Sequence, residues 1–430
     1  MRVVPLVAAG LLAFQSTAWA FCGFYVATED QPLVNKASRV VLVHDNGHPV
    51  VTMASDVHGD PKQFALVIPV PTVIRREQVR IVKPEIVEHL ADYTKPRLVQ
   101  YFDYDPCSPP LPPPAPAPMA MAAAAGGMLA VARSVRVEAA FSVEEYDILV
   151  LSATDSDGLI EWLNRNGYKM PAEAGPVVGS YLKQHMHFFV AKVNLDRMKN
   201  NPTGFLRPIR VEYDTPKFML PIRLGTVNAQ GPQDMIVLAL THTGRVDVTN
   251  YRTARMPTGV NIPEYVAEKF GAFYDAVFNR QVEAAGGSAV FLEYAWPINA
   301  GIGLCDPCSS LPMRPEEMDE LGAAWLGQPY SPGATPGFIT RLHVRYDRAH
   351  FPEDLQFQET PDTESYQARY VIQVAVKRRD VESCAAGRAY MHALRDRWRA
   401  ENRSLAELTG WNPADIRQAM VAQWKATREQ

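Results

Sequence analysis

The residue types in this chain most able to do chemistry are its five cysteines, Cys22, Cys107, Cys305, Cys308 and Cys384. Two of them stand in a Cys305-Asp306-Pro307-Cys308 run, the spacing used by thiol–disulfide oxidoreductases and by metal sites. A redox pair of that kind places its first cysteine at the amino end of a helix, where the helix dipole and free backbone N–H groups stabilise a thiolate. Here Asn299-Ala300-Gly301 precedes the pair, and Pro312 and Pro315 push the next helix well past Cys308. Asp306 between the sulfurs disfavours a thiolate by like charge. The pair is therefore read as structural, with a thiol–disulfide oxidoreductase using Cys305 and Cys308 as the alternative. An Asp-Pro-Cys-Ser turn occurs both at Asp105–Ser108 and at Asp306–Ser309. Four shared residues fit a duplication and convergent turn chemistry equally. All five cysteines are disulfide candidates, and their odd number leaves one thiol over and the connectivity open.

Histidines form two groups: His44, His48 and His58 around a hairpin, and His185 with His187 entering a strand. In a strand, His185 and His187 would face the same side, as a two-ligand metal site requires, but no suitable third ligand lies nearby in sequence. They are read as surface histidines, so no metal site and no cofactor is expected. There is no Gly-x-Ser-x-Gly elbow, no phosphate-binding glycine loop and no His-Glu-x-x-His motif. No catalytic residue is assigned on sequence grounds.

The compartment is easier to read. Residues 1–20 carry Arg2, an apolar stretch from Val3 to Phe14, and Ala18-Trp19-Ala20, a small-x-small cleavage site. Cleavage is expected between Ala20 and Phe21. The apolar stretch is too short for a membrane span, which needs about 20 residues, and the alanine-rich run from Met119 to Ala132 is broken by Gly126-Gly127. The expected product is exported to the periplasm or outside the cell, has no transmembrane span, and carries its cysteines in an oxidising compartment. A net charge of −4 gives no electrostatic reason to propose nucleic acid as a partner. The expected partner is an envelope or extracellular component.

The elements that hold these residues read as α+β: mainly antiparallel strands and hairpins, interspersed helices, two packed units and a helical C-terminal tail. The 430 residues exceed what one core usually organises. Residues 21–107 are read as a β-rich unit. It holds a hairpin over Arg39–Met53 turning at Asn46-Gly47, a buried strand Phe64–Pro71, a helix Glu85–Asp92 and a strand Arg97–Tyr104. Residues 108–130, rich in proline, alanine and glycine, read as a linker or loop.

Residues 131–384 form the main α+β unit, and residues 385–430 the tail. In the main unit, strands are expected at Val135–Phe141, Tyr146–Leu151, Phe188–Val193, Ile209–Tyr213, Phe218–Leu224 and Met235–Thr241, with Thr243-Gly244 turning a hairpin into Arg245–Tyr251. Asp155 caps a short helix burying Leu159, Trp162 and Leu163. Ile262, Val266, Phe270, Phe273 and Val277 form the buried stripe of a helix ending at Gly286-Gly287. Strand Ala289–Trp296, a helix around Pro315–Leu326 and strands at Phe338–Tyr346, Leu355–Glu359 and Tyr366–Val376 complete the unit.

The ordered set Phe21–Val26, the Phe64–Pro71 run, Asp105-Pro106-Cys107, Leu159–Leu163 with Gly167-Tyr168, Phe188–Val193 and Cys305–Cys308 resembles the bacterial, exported domain-of-unknown-function family 2330 over roughly residues 21–385. The resemblance implies location and a cysteine framework, and it carries no catalytic residues. Together these features point to a non-enzymatic, disulfide-stapled exported protein that binds something or supports an assembly.

Overall fold

The computed structural model describes residues 24–27, 34–45, 47–58, 64–108, 137–166, 168, 170–171, 173–198, 206–227, 229, 231–298, 310–326, 337–376, 381 and 383–429. The cleavage site expected at Ala20 and Phe21, the cysteines Cys22, Cys305 and Cys308, and most of the segment read as a Pro/Ala linker lie outside these residues.

The first strands are β1 (Phe24–Ala27), β2 (Val34–Val43) and β3 (Val50–His58). β2 and β3 form the expected hairpin, with Val43 opposite Val50. The connection is wider than a two-residue turn because His44 continues the pairing with another strand, its N–H bonding Leu240 O at 2.9 Å. β4 (Phe64–Val70), β5 (Val79–Ile81), helix α1 (Pro84–Thr94) and β6 (Arg97–Phe102) follow. Pro84 starts α1, where its missing N–H costs no intrahelical bond. Next among the described residues come β7 (Val137–Val143), β8 (Tyr146–Leu151), α2 (Ser156–Arg165), α3 (Ala174–Leu182) and β9 (His187–Val193). Asp155 caps α2 as expected, accepting from Gly158 N at 2.6 Å.

After the short α4 (Leu195–Met198), the chain runs through β10 (Ile209–Glu212), β11 (Met219–Leu220), β12 (Gln233–Thr241), β13 (Val246–Val248), β14 (Arg252–Arg255) and β15 (Val260–Asn261). Helix α5 (Phe270–Ala284), β16 (Ala289–Pro297), α6 (Pro315–Glu320), β17 (Phe338–Tyr346), β18 (Leu355–Glu359), β19 (Tyr366–Gln367) and β20 (Arg369–Val374) lead to two terminal helices, α7 (Ala385–Thr409) and α8 (Pro413–Glu429).

The central sheet has the order β14-β16-β17-β12-β2-β3-β10-β5, with β19 added on β16. Its pairs are antiparallel except β12 with β2 and β14 with β16. Residues 34–81 and residues 209–367 thus supply strands to one sheet, because β2 pairs with β12 and β3 with β10. A second, antiparallel sheet, β1-β4-β9-β8-β7, packs on one face. The core between the sheets contains Val40, Leu42, Met53, Leu66, Ile148 and Phe189.

α2 and α3 cover the outer face of the second sheet through Leu159, Leu163, Val178 and Tyr181. α1 and α6 cover the other face of the central sheet through Ile86, Leu90, Met318 and Leu321. The alternation of buried residues along β2, Val40 and Leu42 to one core and Val41 and Val43 to the other, follows from the two-residue period of a strand. The fold class is α+β, with a helical C-terminal tail.

Several local expectations are corrected. Phe218–Leu224 is not one strand: β11 spans two residues and is followed by a 3-10 turn at Arg223–Thr226, because buried Asp354 takes the Ile222 and Arg223 N–H groups at 2.9 and 3.1 Å. Thr243-Gly244 does not turn a hairpin, since β13 pairs with β18 instead of β12. Gly244 is needed there for close approach, a Cβ lying 2.5 Å from Asp362 O and 2.6 Å from Thr360 O. The helix expected from Ile262 begins as a 3-10 segment, Glu264–Lys269, before α5. Its stripe is nonetheless buried at Ile262, Val266, Phe273 and Val277. The helix read over Pro315–Leu326 is α6 followed by a 3-10 turn at Ala324–Leu326.

Candidate functional site

Two polar assemblies stand out against these apolar cores. The first is built on a β-bulge. The pairing of β16 with β17 slips between Leu292 and Tyr294, so Glu293 is the extra residue. A bulge frees a side chain from the strict alternation of the pleat. The Glu293 side chain is 0% exposed, yet it collects three donors: Arg341 Nε at 2.5 Å, His343 Nδ1 at 2.8 Å and the Tyr274 hydroxyl at 2.5 Å. Burial alone would raise the Glu293 carboxyl, but Arg341 and His343 outweigh it and hold it at about 2. The carboxylate can only accept, so His343 Nδ1 donates in this bond, and the ring's Nε2 lies 4.0 Å from Asp234 Oδ1.

His343 stacks on Phe278 of α5, with ring centroids 3.6 Å apart. Asp234 accepts a two-pronged bond from Arg345 at 2.7 and 2.6 Å, and Arg341 reaches the Ala91 carbonyl of α1 at 2.9 Å. The sequence signal for this assembly was available: Arg341, His343 and Arg345 alternate along β17 and therefore share the face that α1 and α5 cover. Glu293, an acid within an otherwise apolar and aromatic strand, was the other clue. Chemically the assembly is a compensated ion network that locks α5 and α1 to the sheet.

The second assembly joins the C-terminal tail to the body. Cys107, just beyond β6, is disulfide-bonded to Cys384, just before α7, with Cα atoms 5.7 Å apart. Asp105 organises the turn on one side by accepting from Cys107 N at 2.9 Å and from the Ser108 hydroxyl at 2.7 Å. On the other side Cys384 is the cap of α7, its sulfur 3.2 Å from Gly387 N. Gly387 must be glycine, because a Cβ would lie 1.7 Å from Val381 O and 3.1 Å from Cys107 Sγ.

Further along α7, Arg397 grips Asp103 at 2.9 and 2.8 Å, and the Tyr390 hydroxyl donates to the same carboxylate. Burial works against the Asp103 charge, yet these bonds still lower its carboxyl. Glu401, one turn past Arg397, is only 3% exposed and lies 3.4 Å from Arg397 Nε. Burial pushes the Glu401 carboxyl up to about 7; Arg397 opposes the rise, and Asp103 and Glu264 add to it.

Among the described side chains, the candidate histidines do not converge. His44 Nδ1 pairs with Glu359 at 2.9 Å and stacks on Phe218, while His48 pairs with Asp214 at 2.5 Å. His58 ends β3. His185 sits in the turn before β9 with φ of 59°, so it is not a strand neighbour of His187. The His187 ring instead meets the Ser152 hydroxyl at 3.0 Å, and burial lowers its pKa. Among the described residues no group of three or more His, Cys, Asp or Glu side chains is placed to hold a metal ion. Among the same residues no helix is long and apolar enough to cross a membrane.

Fold and sites together define an α+β protein in which two charged assemblies tie helices to sheets and whose tail is covalently tied down. Its family is equally plain: the chain belongs to the DUF2330 family, uncharacterized proteins conserved in bacteria, whose model matches residues 16–358. β19, β20, α7 and α8 lie beyond that match. No curated protein and no solved structure matches the chain.

Proposed function

We propose that this chain is an exported, non-enzymatic protein of the bacterial envelope that binds a partner or supports an assembly there. The Cys107–Cys384 disulfide is the observation that carries the reading. Bonds of this kind persist in oxidising compartments and are rare where thiols are kept reduced. This one ties residues 277 apart, so it staples the tail to the body instead of closing a small local loop. The signal-like residues 1–20 favour the same compartment. A supporting role fits the two polar assemblies, whose charges are spent on holding helices to sheets.

The experiment is expression of the full chain in a bacterial host, followed by fractionation, amino-terminal sequencing and non-reducing peptide mapping. The expected product is recovered outside the cytoplasm, starts at Phe21 and contains a Cys107–Cys384 cross-linked peptide. A cytoplasmic product that starts at Met1 with all five thiols free overturns export. Efficient insulin reduction in the presence of dithiothreitol, abolished by Cys305→Ser without loss of thermal stability, overturns the non-enzymatic reading.

A further inference from the structure

α7 buries a stripe that contains Leu394, Trp398, Glu401 and Leu405. A carboxylic acid in such a seam is costly to ionise unless a dedicated donor meets it. At Glu401 no hydrogen-bond donor reaches Oε1, and Arg397 Nε, 3.4 Å away, makes no hydrogen bond either. The Arg397 guanidinium is already committed through its two terminal nitrogens to Asp103. Three carboxyl groups, Asp103 at the end of β6, Glu264 in the 3-10 segment before α5 and Glu401 on α7, thus surround one arginine. Tyr265 of that 3-10 segment also faces the site, bonding Asn402 Oδ1 at 2.7 Å, and α8 contributes the Trp424 ring against Trp398.

We infer that docking of α7 on the body is pH-sensitive, with Glu401 as the sensing group: the helix is held most tightly when Glu401 is protonated and is loosened when it ionises, while the disulfide keeps the helix tethered. The sign follows from linkage. A carboxyl whose docked-state pKa of about 7 lies above its ordinary 4.5 binds the proton better when docked. Docking is then strongest below the ordinary glutamate range, and the advantage is lost progressively until pH passes about 7. Asp103 opposes this only in acid, since its own carboxyl is lowered by Arg397 and Tyr390.

The test is amide hydrogen exchange along residues 394–405 in the mature, oxidised chain between about pH 5 and 8, corrected for the chemistry of exchange itself. Protection should fall about tenfold or more across that range. The fall should be much weaker in Glu401→Gln, where only Glu264, whose carboxyl burial also raises, is left to titrate in this range. Glu264→Gln, which removes a neighbouring negative charge, should move the midpoint of the wild-type transition to lower pH. Constant protection in the wild type, or an undiminished pH dependence in Glu401→Gln, overturns the inference. Should Glu401→Gln fail to fold, the Glu264→Gln profile decides: an unmoved midpoint also overturns it.

Discussion

Removing the Cys107–Cys384 bond by the paired substitution Cys107→Ser/Cys384→Ser tests the central structural argument without touching the other three cysteines. The bond closes a chain separation of 277 residues. Loop-closure entropy in the unfolded chain then amounts to about 5–6 kcal/mol at 25 °C. Native disulfides in secreted domains usually deliver about 2–5 kcal/mol, because denatured chains are more compact than the ideal coil. The variant is therefore expected to lose about 4 kcal/mol, near a thousandfold in the folded-to-unfolded ratio.

The loss should appear first in the tail. Once the bond is gone, the start of α7 rests on the contacts of Tyr390 and Arg397 with Asp103. Urea unfolding followed by circular dichroism gives the total loss, and limited proteolysis locates where the chain opens. A change below about 1 kcal/mol, with α7 still resistant to protease, would refute the view that this staple holds the tail.

Glu293→Gln should cost about 3–5 kcal/mol, because it leaves Arg341 buried beside a neutral amide; equilibrium unfolding checks it. The same carboxylate, held at about 2, contributes stability that is complete above the ordinary glutamate range and is lost as pH falls toward 2, so an acid titration should be shallower in the variant. Gly387→Ala should slow oxidation of the Cys107–Cys384 pair and destabilise the start of α7 by about 1–3 kcal/mol, since the added methyl collides with Val381 O. Gly244→Ala should cost a similar ~1–3 kcal/mol by pushing against two backbone carbonyls. Gly271→Ala, on open surface in α5, should instead stabilise by about 0.5–1 kcal/mol; thermal melts of the two variants side by side give the contrast.

What could be read from the sequence was what local physics fixes. Alternating and continuous apolar runs marked β4, β8, β9, β16 and β17, Asp155 marked the start of α2, and the four-and-three spacing from Ile262 to Val277 marked the buried face of α5. These features depend on residues close in the chain, and the α+β class follows from them. The short α3 was missed, since Gly175 and Pro176 in its first turn weaken the helical pattern and packing of Val178 and Tyr181 sustains it.

Tertiary structure decided which strands are neighbours. β2 lies beside β12 and β13 beside β18, and no local rule selects such distant partners. It also decided which charges meet. Glu293 finds Arg341 and His343 only because a bulge turns it, and Glu401 finds Asp103 and Glu264 only because a distant disulfide and a buried stripe lay α7 across them. A residue type announces what a group can do, whereas the energy of a buried charge depends on neighbours that the chain brings from far away, so the character of both assemblies is a property of the fold.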